Sequence, residues 1–257
     1  MLITWEVVMN RIRREKIKEY IENRSFATIK ELQELVPGVS LMTIHRDLDF
    51  LEGVGAIAKY RGGARSIHHP DDVEFNIRKR ENNEGKLEMA RKAMSLIQPH
   101  SSIFIDAGTS SLFLAQHMPD ININVVTTGP SVALELCRLR NPVVTMCSGV
   151  INRKNLAVSG LRTLELLDDI NIDTAFVGVS GCSAEVGFTC GTESDMLIKR
   201  KVIQKARVTV MLCSNEKLKR LMPYTFASLK DVDYIVSDKP MPEEFAKIAA
   251  EEGVVIL

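Results

Sequence analysis

From Ile103 to the last residue, short β-rich runs alternate with helical stretches, and this rhythm constrains the fold more than any other feature of the chain. The runs are Ile103–Asp106, Ile123–Thr127, Val143–Cys147, Thr174–Val179, Val208–Cys213, Tyr234–Ser237 and Val254–Leu257. Strands separated by helices assemble into a mostly parallel sheet with helices covering it, so an α/β domain is expected here. A helical pattern from Asn83 to Ile97, carrying Leu87, Ala90, Ala93, Met94 and Ile97, leads into it.

The first seventy residues follow a different pattern. Residues 10–23 read as a basic amphipathic helix, with Ile12, Ile17, Tyr20 and Ile21 on one side and Arg11, Arg13, Arg14, Lys16 and Lys18 elsewhere. Thr28 followed by Glu31 has the spacing of a capping box, and Ile29, Leu32, Leu35 and Val36 give the next helix its apolar face until Pro37 and Gly38 stop it. Ser40 caps a third helix to about Glu52, in which Ile44, Leu48 and Leu51 point inward and Thr43, His45, Arg46 and Asp49 outward. Ala56 to Ser66, with Gly62 and Gly63, fits a two-stranded hairpin. Helix, turn, helix and wing therefore occupy residues 10–66, residues 67–82 form a polar linker containing His68 and His69, and the α/β domain spans 83–257. Residues 1–9 are expected to be an upstream extension, with Met9 an alternative start.

A helix that reads DNA needs a short outward face that reaches base edges, held in place by phosphate contacts from neighbouring elements. The third helix offers Ser40, Thr43, His45 and Arg46, the wing Lys59, Arg61 and Arg65, and Arg46 can pair its guanidinium fork with guanine. Asp47 would be repelled by phosphate, so it is expected to bond an arginine or cap a backbone group inside the module. Across residues 10–65 there are 11 basic and 8 acidic side chains, too small a surplus to decide the matter, and pattern alone leaves a protein-contact module open.

The stretch VSLMTIHRDLDFLEGVGAIAKYRGGA, residues 39–64, resembles the DNA-binding signature of the DeoR family of bacterial transcription regulators. Arg46, Asp47 and Leu48 match the family's arginine-aspartate-leucine core, while His45 stands where the family usually has its first arginine. The resemblance implies double-stranded operator DNA as a partner.

In open α/β sheets, ligands bind beyond the carboxyl ends of the strands, where helix amino termini offer free N–H groups to anions. IFIDAGTSSLFLA, residues 103–115, runs from strand through Gly108 to a hydroxyl-rich helix start with Thr109, Ser110 and Ser111, and Thr127 and Thr128 end the following strand at the same edge. A structural cap is the plainer reading of either loop alone.

Residues from about Phe75 onward resemble the DeoR sensor domain, similar in fold to ribose-5-phosphate isomerases, and this implies a phosphorylated sugar or related metabolite as effector. The matching positions are Asp106, Gly108 and Thr109, then Ser148 and Gly149, Gly160, the run VGVSGCSAEVGFT at 177–189 that includes Gly181, and Lys199, which the resemblance implies as a partner of the ligand's anionic group. Ser180 and the run Ser214–Lys217 depart from the family pattern, Lys217 remaining a ligand candidate beside Glu216. The combined expectation is a repressor that assembles as a dimer or tetramer and whose DNA affinity follows its ligand. A sugar-phosphate isomerase-like enzyme and a DNA-binding scaffold with a degenerate pocket remain alternatives.

Composition excludes other classes. With 45% hydrophobic and 26% charged residues the chain can bury a sizeable core, and 33 basic against 33 acidic residues give no bulk attraction for nucleic acid. The apolar runs fall short of the roughly 20 residues that span a bilayer, and five cysteines without CxxC spacing point to a reduced, cytoplasmic protein needing no cofactor or metal.

Overall fold

The computed structural model describes residues 5–24, 26–60, 62–66, 75–218 and 220–257. The chain divides into two compact units, 1–74 and 75–257. Arg61, His68 and His69 fall outside the described residues, as does the 67–74 part of the expected linker.

The first unit contains α1 (Trp5–Arg24), β1 (Phe26–Thr28), α2 (Ile29–Leu35), α3 (Leu41–Gly53), β2 (Ile57–Tyr60) and β3 (Gly63–Ser66). The Thr28–Glu31 capping box forms, with the Thr28 N–H donating to Glu31 Oε2 at 2.7 Å and the Glu31 N–H to Thr28 Oγ1 at 3.3 Å. Ser40 Oγ caps α3 by accepting from the Thr43 N–H at 3.2 Å. Ile17, Ile21, Leu32, Ile44, Leu48, Leu51 and Ile57 interlock as its core. β2 and β3 make the expected hairpin, and β1 adds an unforeseen third strand antiparallel to β3. Two expectations change: α1 begins at Trp5, so the boundary at residue 10 lies within a helix, and Ile12 is 58% exposed rather than in the core.

The second unit opens with α4 (Phe75–Arg80) and α5 (Asn83–Met94), so residues 75–82 are not linker. Phe75 is buried, and its N–H donates to the Lys154 carbonyl at 3.0 Å, which ties α4 to the α/β domain. There follow β4 (Ser102–Ile105), α6 (Thr109–Gln116), β5 (Asn124–Thr127), α7 (Pro130–Leu136), β6 (Val143–Met146), β7 (Val150–Ile151), β8 (Val158–Ser159), α8 (Leu161–Asp168), β9 (Ile172–Gly178), β10 (Gly181–Ser183), β11 (Gly187–Cys190), α9 (Glu193–Lys205), β12 (Ala206–Leu212), β13 (Tyr224–Ala227), β14 (Tyr234–Val236), α10 (Glu243–Glu251) and β15 (Val255–Ile256).

Seven strands form one sheet in the order β15-β14-β12-β9-β4-β5-β6, and each adjacent pair is parallel. One apolar cluster joins α5, α6 and α7 to the sheet through Met89, Leu114 and Val132. The other gathers α8, α9 and α10 with a small antiparallel sheet, β10-β11-β13, through Leu167, Val202, Phe245 and Phe188. Covering both faces fits the parallel arrangement. The strand order brings the carboxyl ends of β4, β9 and β12 side by side, and the loops that leave them meet in one cleft.

Candidate functional site

In the first unit, α3 presents its outward face as the spacing required. Arg46 and Asp49 are exposed, and Thr43 and His45 partly so. Ser40 and Thr43 are already paired, their hydroxyl oxygens 2.9 Å apart, so capping uses part of their capacity. Lys59 lies on β2 with its ammonium on the Asp49 carboxylate, and its backbone N–H donates to Glu52 Oε1 at 2.7 Å. Asp47 is 1% exposed and faces inward: its oxygens accept from Arg13 Nε at 2.5 Å and Arg14 Nε at 2.8 Å. The Arg14 guanidinium also lies 3.9 Å from the centroid of the Phe50 ring. Leu41 and Met42, which the sequence did not single out, are 46% and 64% exposed on the first turn of α3. The signal was available for Met42, which falls outside the Ile44, Leu48 and Leu51 spacing, but not for Leu41, which continues that spacing and is exposed because it stands on the first turn of the helix.

In the second unit the cleft occupies about 730 Å³, counting the space open to solvent. Of the residues expected to hold a ligand, Gly108, Thr109, Ser110, Lys199 and Lys217 line it. Gly108 precedes α6 at φ 120°, a conformation only glycine adopts without strain, and nothing lies within 4 Å of where a side chain would begin. No side chain caps α6, so its first amide N–H groups, which have no intrahelical acceptor, face the cleft end of the helix. Beside them the Ser111 hydroxyl is 1% exposed, lines the cleft, and has no hydrogen-bond partner among the described residues.

Asp106 is placed beneath the cleft rather than in it. Its Oδ1 accepts from the Ala107 N–H at 2.8 Å and the Thr128 hydroxyl at 3.4 Å, and its Oδ2 accepts from the Gly178 N–H at 3.0 Å and from the Lys199 ammonium. Lys199 also donates to the Gly178 carbonyl at 2.9 Å, and Asp195 Oδ1 stands 3.6 Å away. An ammonium has three donors, so Lys199 is a buried strut holding two carboxylates rather than a ready partner for a ligand anion. Burial alone would depress its pKa, but Asp106 and then Asp195 outweigh that and push it up. For Asp195, burial pushes the carboxyl above the usual range, and Lys199 opposes the shift.

Four other expected residues also stand outside this cleft. Thr127 is fully buried, its hydroxyl accepting from the Gly129 N–H at 3.0 Å. At Gly149 an added Cβ would sit 2.4 Å from the Ser159 carbonyl, and at Gly181 the same distance from that of Arg220, so both are glycine because backbone packs against them. Thr128 lines a separate recess of about 240 Å³, again counting open space.

The sequence missed the wall contributed by the α4–α5 turn, which includes Arg78, Glu81, Asn82 and Lys86. Lys86 is buried and donates to the Arg78 and Glu81 carbonyls at the end of α4; burial is the leading reason its pKa falls below the ordinary lysine value. Asn82 Nδ2 donates to Asp238 Oδ2 at 2.9 Å, and Asp238 Oδ1 accepts from the Asn215 N–H at 2.7 Å. This pairing ties the turn to the Ser214–Lys217 loop, where Lys217 sits 2.9 Å from Glu216 Oε1.

A winged helix-turn-helix in one unit and a parallel α/β domain with a polar cleft in the other define a DNA-binding regulator that carries a sensor domain. Residues 13–69 match the DeoR-like helix-turn-helix domain and residues 81–239 the DeoR C terminal sensor domain. The chain belongs to the DeoR family of transcription regulators, which are not enzymes.

Relatives extend over nearly the whole chain. It is 28% identical over 242 residues to the HTH-type transcriptional repressor GlcR of Bacillus subtilis, covering 94% of this chain and 93% of that protein. The regulator IolR of the same organism is 26% identical over 249 residues, with coverage of 96% and 99%. An uncharacterized regulator of Escherichia coli, YgbI, is 29% identical over 251 residues, with 95% and 96% covered. Among solved structures, ribose 5-phosphate isomerase A of Methanocaldococcus jannaschii is similar at 16% identity and a TM-score of 0.40, over 54% of this chain and 55% of that one. Among the described residues, no helix is long and apolar enough to cross a membrane.

Proposed function

We propose that this DeoR-type regulator is a repressor whose operator affinity is set by a phosphorylated sugar or related metabolite bound in the cleft. The observation that carries the reading is the Ser111 hydroxyl, 1% exposed and unpartnered beside the uncapped start of α6. A buried hydroxyl left unpaired is costly, and a phosphate oxygen satisfies it together with the α6 amides, whose helix dipole favours negative charge. Lys217, which lines the same cleft beside Glu216, offers the phosphate a cation when it turns from that carboxylate.

On the DNA side, Arg46 and Thr43 reach base edges, with Ser40, His45, Lys59 and Arg61 at phosphates, and Met42 meets a thymine methyl. A dimer or tetramer places paired recognition helices on repeated or inverted half-sites. Ligand alters DNA binding by preferring one of two arrangements of the assembly.

The test is a thermal-shift screen of the full chain against inorganic phosphate and phosphorylated sugars, since a ligand selective for the native state raises the melting temperature. A phosphate-dependent rise that is lost in Ser111→Val supports the reading. No rise with any phosphorylated compound, or a rise unaffected by the substitution, overturns it.

A further inference from the structure

The main cleft and the smaller recess share three lining residues, Asn155, Ala157 and Asp195. Ser111, Lys86 and Lys217 line only the main cleft. The recess is otherwise lined by Thr128, Asn152, Ser159, Thr192 and Ser194 with apolar residues, and no lysine or arginine is among the described residues around it. A ligand that anchors a phosphate at α6 and extends toward the recess therefore leaves the part of the cleft where Arg78, Lys86 and Lys217 stand among Glu81 and Glu216, and meets hydroxyls, amides and one carboxylate, with no cation among the described residues that line the recess.

We infer that the effector is a monophosphate whose far end is uncharged and hydroxylated, and that Asp195 reads that end and turns away a second anion. This rests on the phosphate reading of the cleft. Asp195 is held one helical turn before Lys199, with its side chain 15% exposed. Lys199 is shared between Asp195 and Asp106, one cation against two carboxylates, so nothing in the group welcomes further negative charge. The titratable neighbours of Asp195 are Lys199 on α9, Asp106 after β4 and Cys190 on β11. Burial pushes the Asp195 carboxyl up, but a sugar hydroxyl suits either form, donating to the carboxylate or accepting from the acid. A second phosphate has no such option and must bind against the carboxylate or force a proton onto it.

Calorimetric titration of the full chain with inorganic phosphate, a panel of four- to six-carbon polyol and aldose monophosphates, and fructose 1,6-bisphosphate tests this. The expected result is weak binding of inorganic phosphate, at least tenfold tighter binding of one or more monophosphates, and at least tenfold weaker binding of the bisphosphate than of the best monophosphate. Asp195→Asn should retain inorganic phosphate affinity within about threefold while the discrimination against bisphosphate falls at least tenfold. If Asp195→Asn misfolds, Ser194→Ala, which alters only the recess, should weaken the monophosphate and spare inorganic phosphate. Unchanged discrimination in Asp195→Asn, an equal effect of Ser194→Ala on both probes, or tighter binding of the bisphosphate by the unaltered chain overturns the inference and leaves the phosphate site standing. Failure of inorganic phosphate and every monophosphate to bind overturns the phosphate reading and this inference with it.

Discussion

Asp47 on α3 accepts from Arg13 Nε on α1 at 2.5 Å, and Arg14 Nε binds its other oxygen at 2.8 Å. The carboxylate is 1% exposed while the arginines are 17% and 27% exposed, so one buried acid fastens the recognition helix to the first helix of its unit. Removing one partner of a fully buried pair costs about 3–5 kcal/mol, and these arginines can be partly rehydrated. Asp47→Ala should therefore destabilise the first unit by about 2–4 kcal/mol, read by urea unfolding followed by circular dichroism. A change below about 0.5 kcal/mol, within the range of ordinary surface substitutions, would contradict this role.

Arg46 is exposed on α3, whereas the Lys59 ammonium is paired with Asp49. Arg46→Ala should weaken operator binding by about 1–3 kcal/mol and relax preference at one base, while Lys59→Ala should weaken all DNA alike and reduce the salt slope by about one. Fluorescence anisotropy on operator and scrambled DNA at several salt concentrations separates the two. Unchanged operator affinity in Arg46→Ala would remove it from the interface.

The orphaned Ser111 hydroxyl allows a test in which stability and binding move differently. Ser111→Ala removes a buried oxygen that has no partner, so the ligand-free protein should be as stable as before or more so. Phosphate affinity should fall by about 1.5–3 kcal/mol, the range for a hydrogen bond to a charged group. Melting curves with and without phosphate read both quantities; loss of stability with binding intact would identify a purely structural serine.

Asp238 sets an acid limit. Burial alone would raise its carboxyl pKa, but donation from the Asn215 N–H and the Asn82 amide outweighs this and holds it below the ordinary 3.8. A depressed folded pKa adds stability that is present in full above the unfolded value and is lost as pH falls through the folded one. Asp238→Asn should thus cost about 1–3 kcal/mol near neutral pH, the worth of charge-assisted hydrogen bonds, with the gap closing below about pH 4. A pH-independent gap in urea unfolding would show that charge plays no part.

The seven strands of the main sheet were legible because each is a short apolar run of its own, and observed and expected bounds differ by no more than two residues. β1 and β13 were not, since each gains its pairing from a strand distant in sequence, as Tyr224 on β13 does from Cys190 on β11, and the short β10–β11 hairpin, Gly181–Ser183 with Gly187–Cys190, lies in a glycine-rich run without a long apolar stretch of its own. The same divide separates the site residues. Gly108, Thr109 and Ser110 belong to one continuous strand-to-helix turn, whose chemistry a linear reading captures. Arg78, Asn82 and Lys86 reach the cleft only because α4 packs back onto the α/β domain. Lys199 was legible as a residue that matters, but its engagement with Asp106 and Gly178, 93 and 21 positions away, becomes visible only when its acceptors are placed around it.

If a ligand in the α6 cleft controls DNA binding by the α3 unit, as proposed, filling the cleft must change operator affinity. The most direct test is anisotropy titration of an operator selected from random DNA, with and without saturating amounts of the monophosphate that most raises the melting temperature. Operator affinity should change by about 5-fold or more, the usual scale of allosteric coupling, and the change should be lost in Ser111→Val. An operator affinity indifferent to a monophosphate that demonstrably binds would contradict the proposed control.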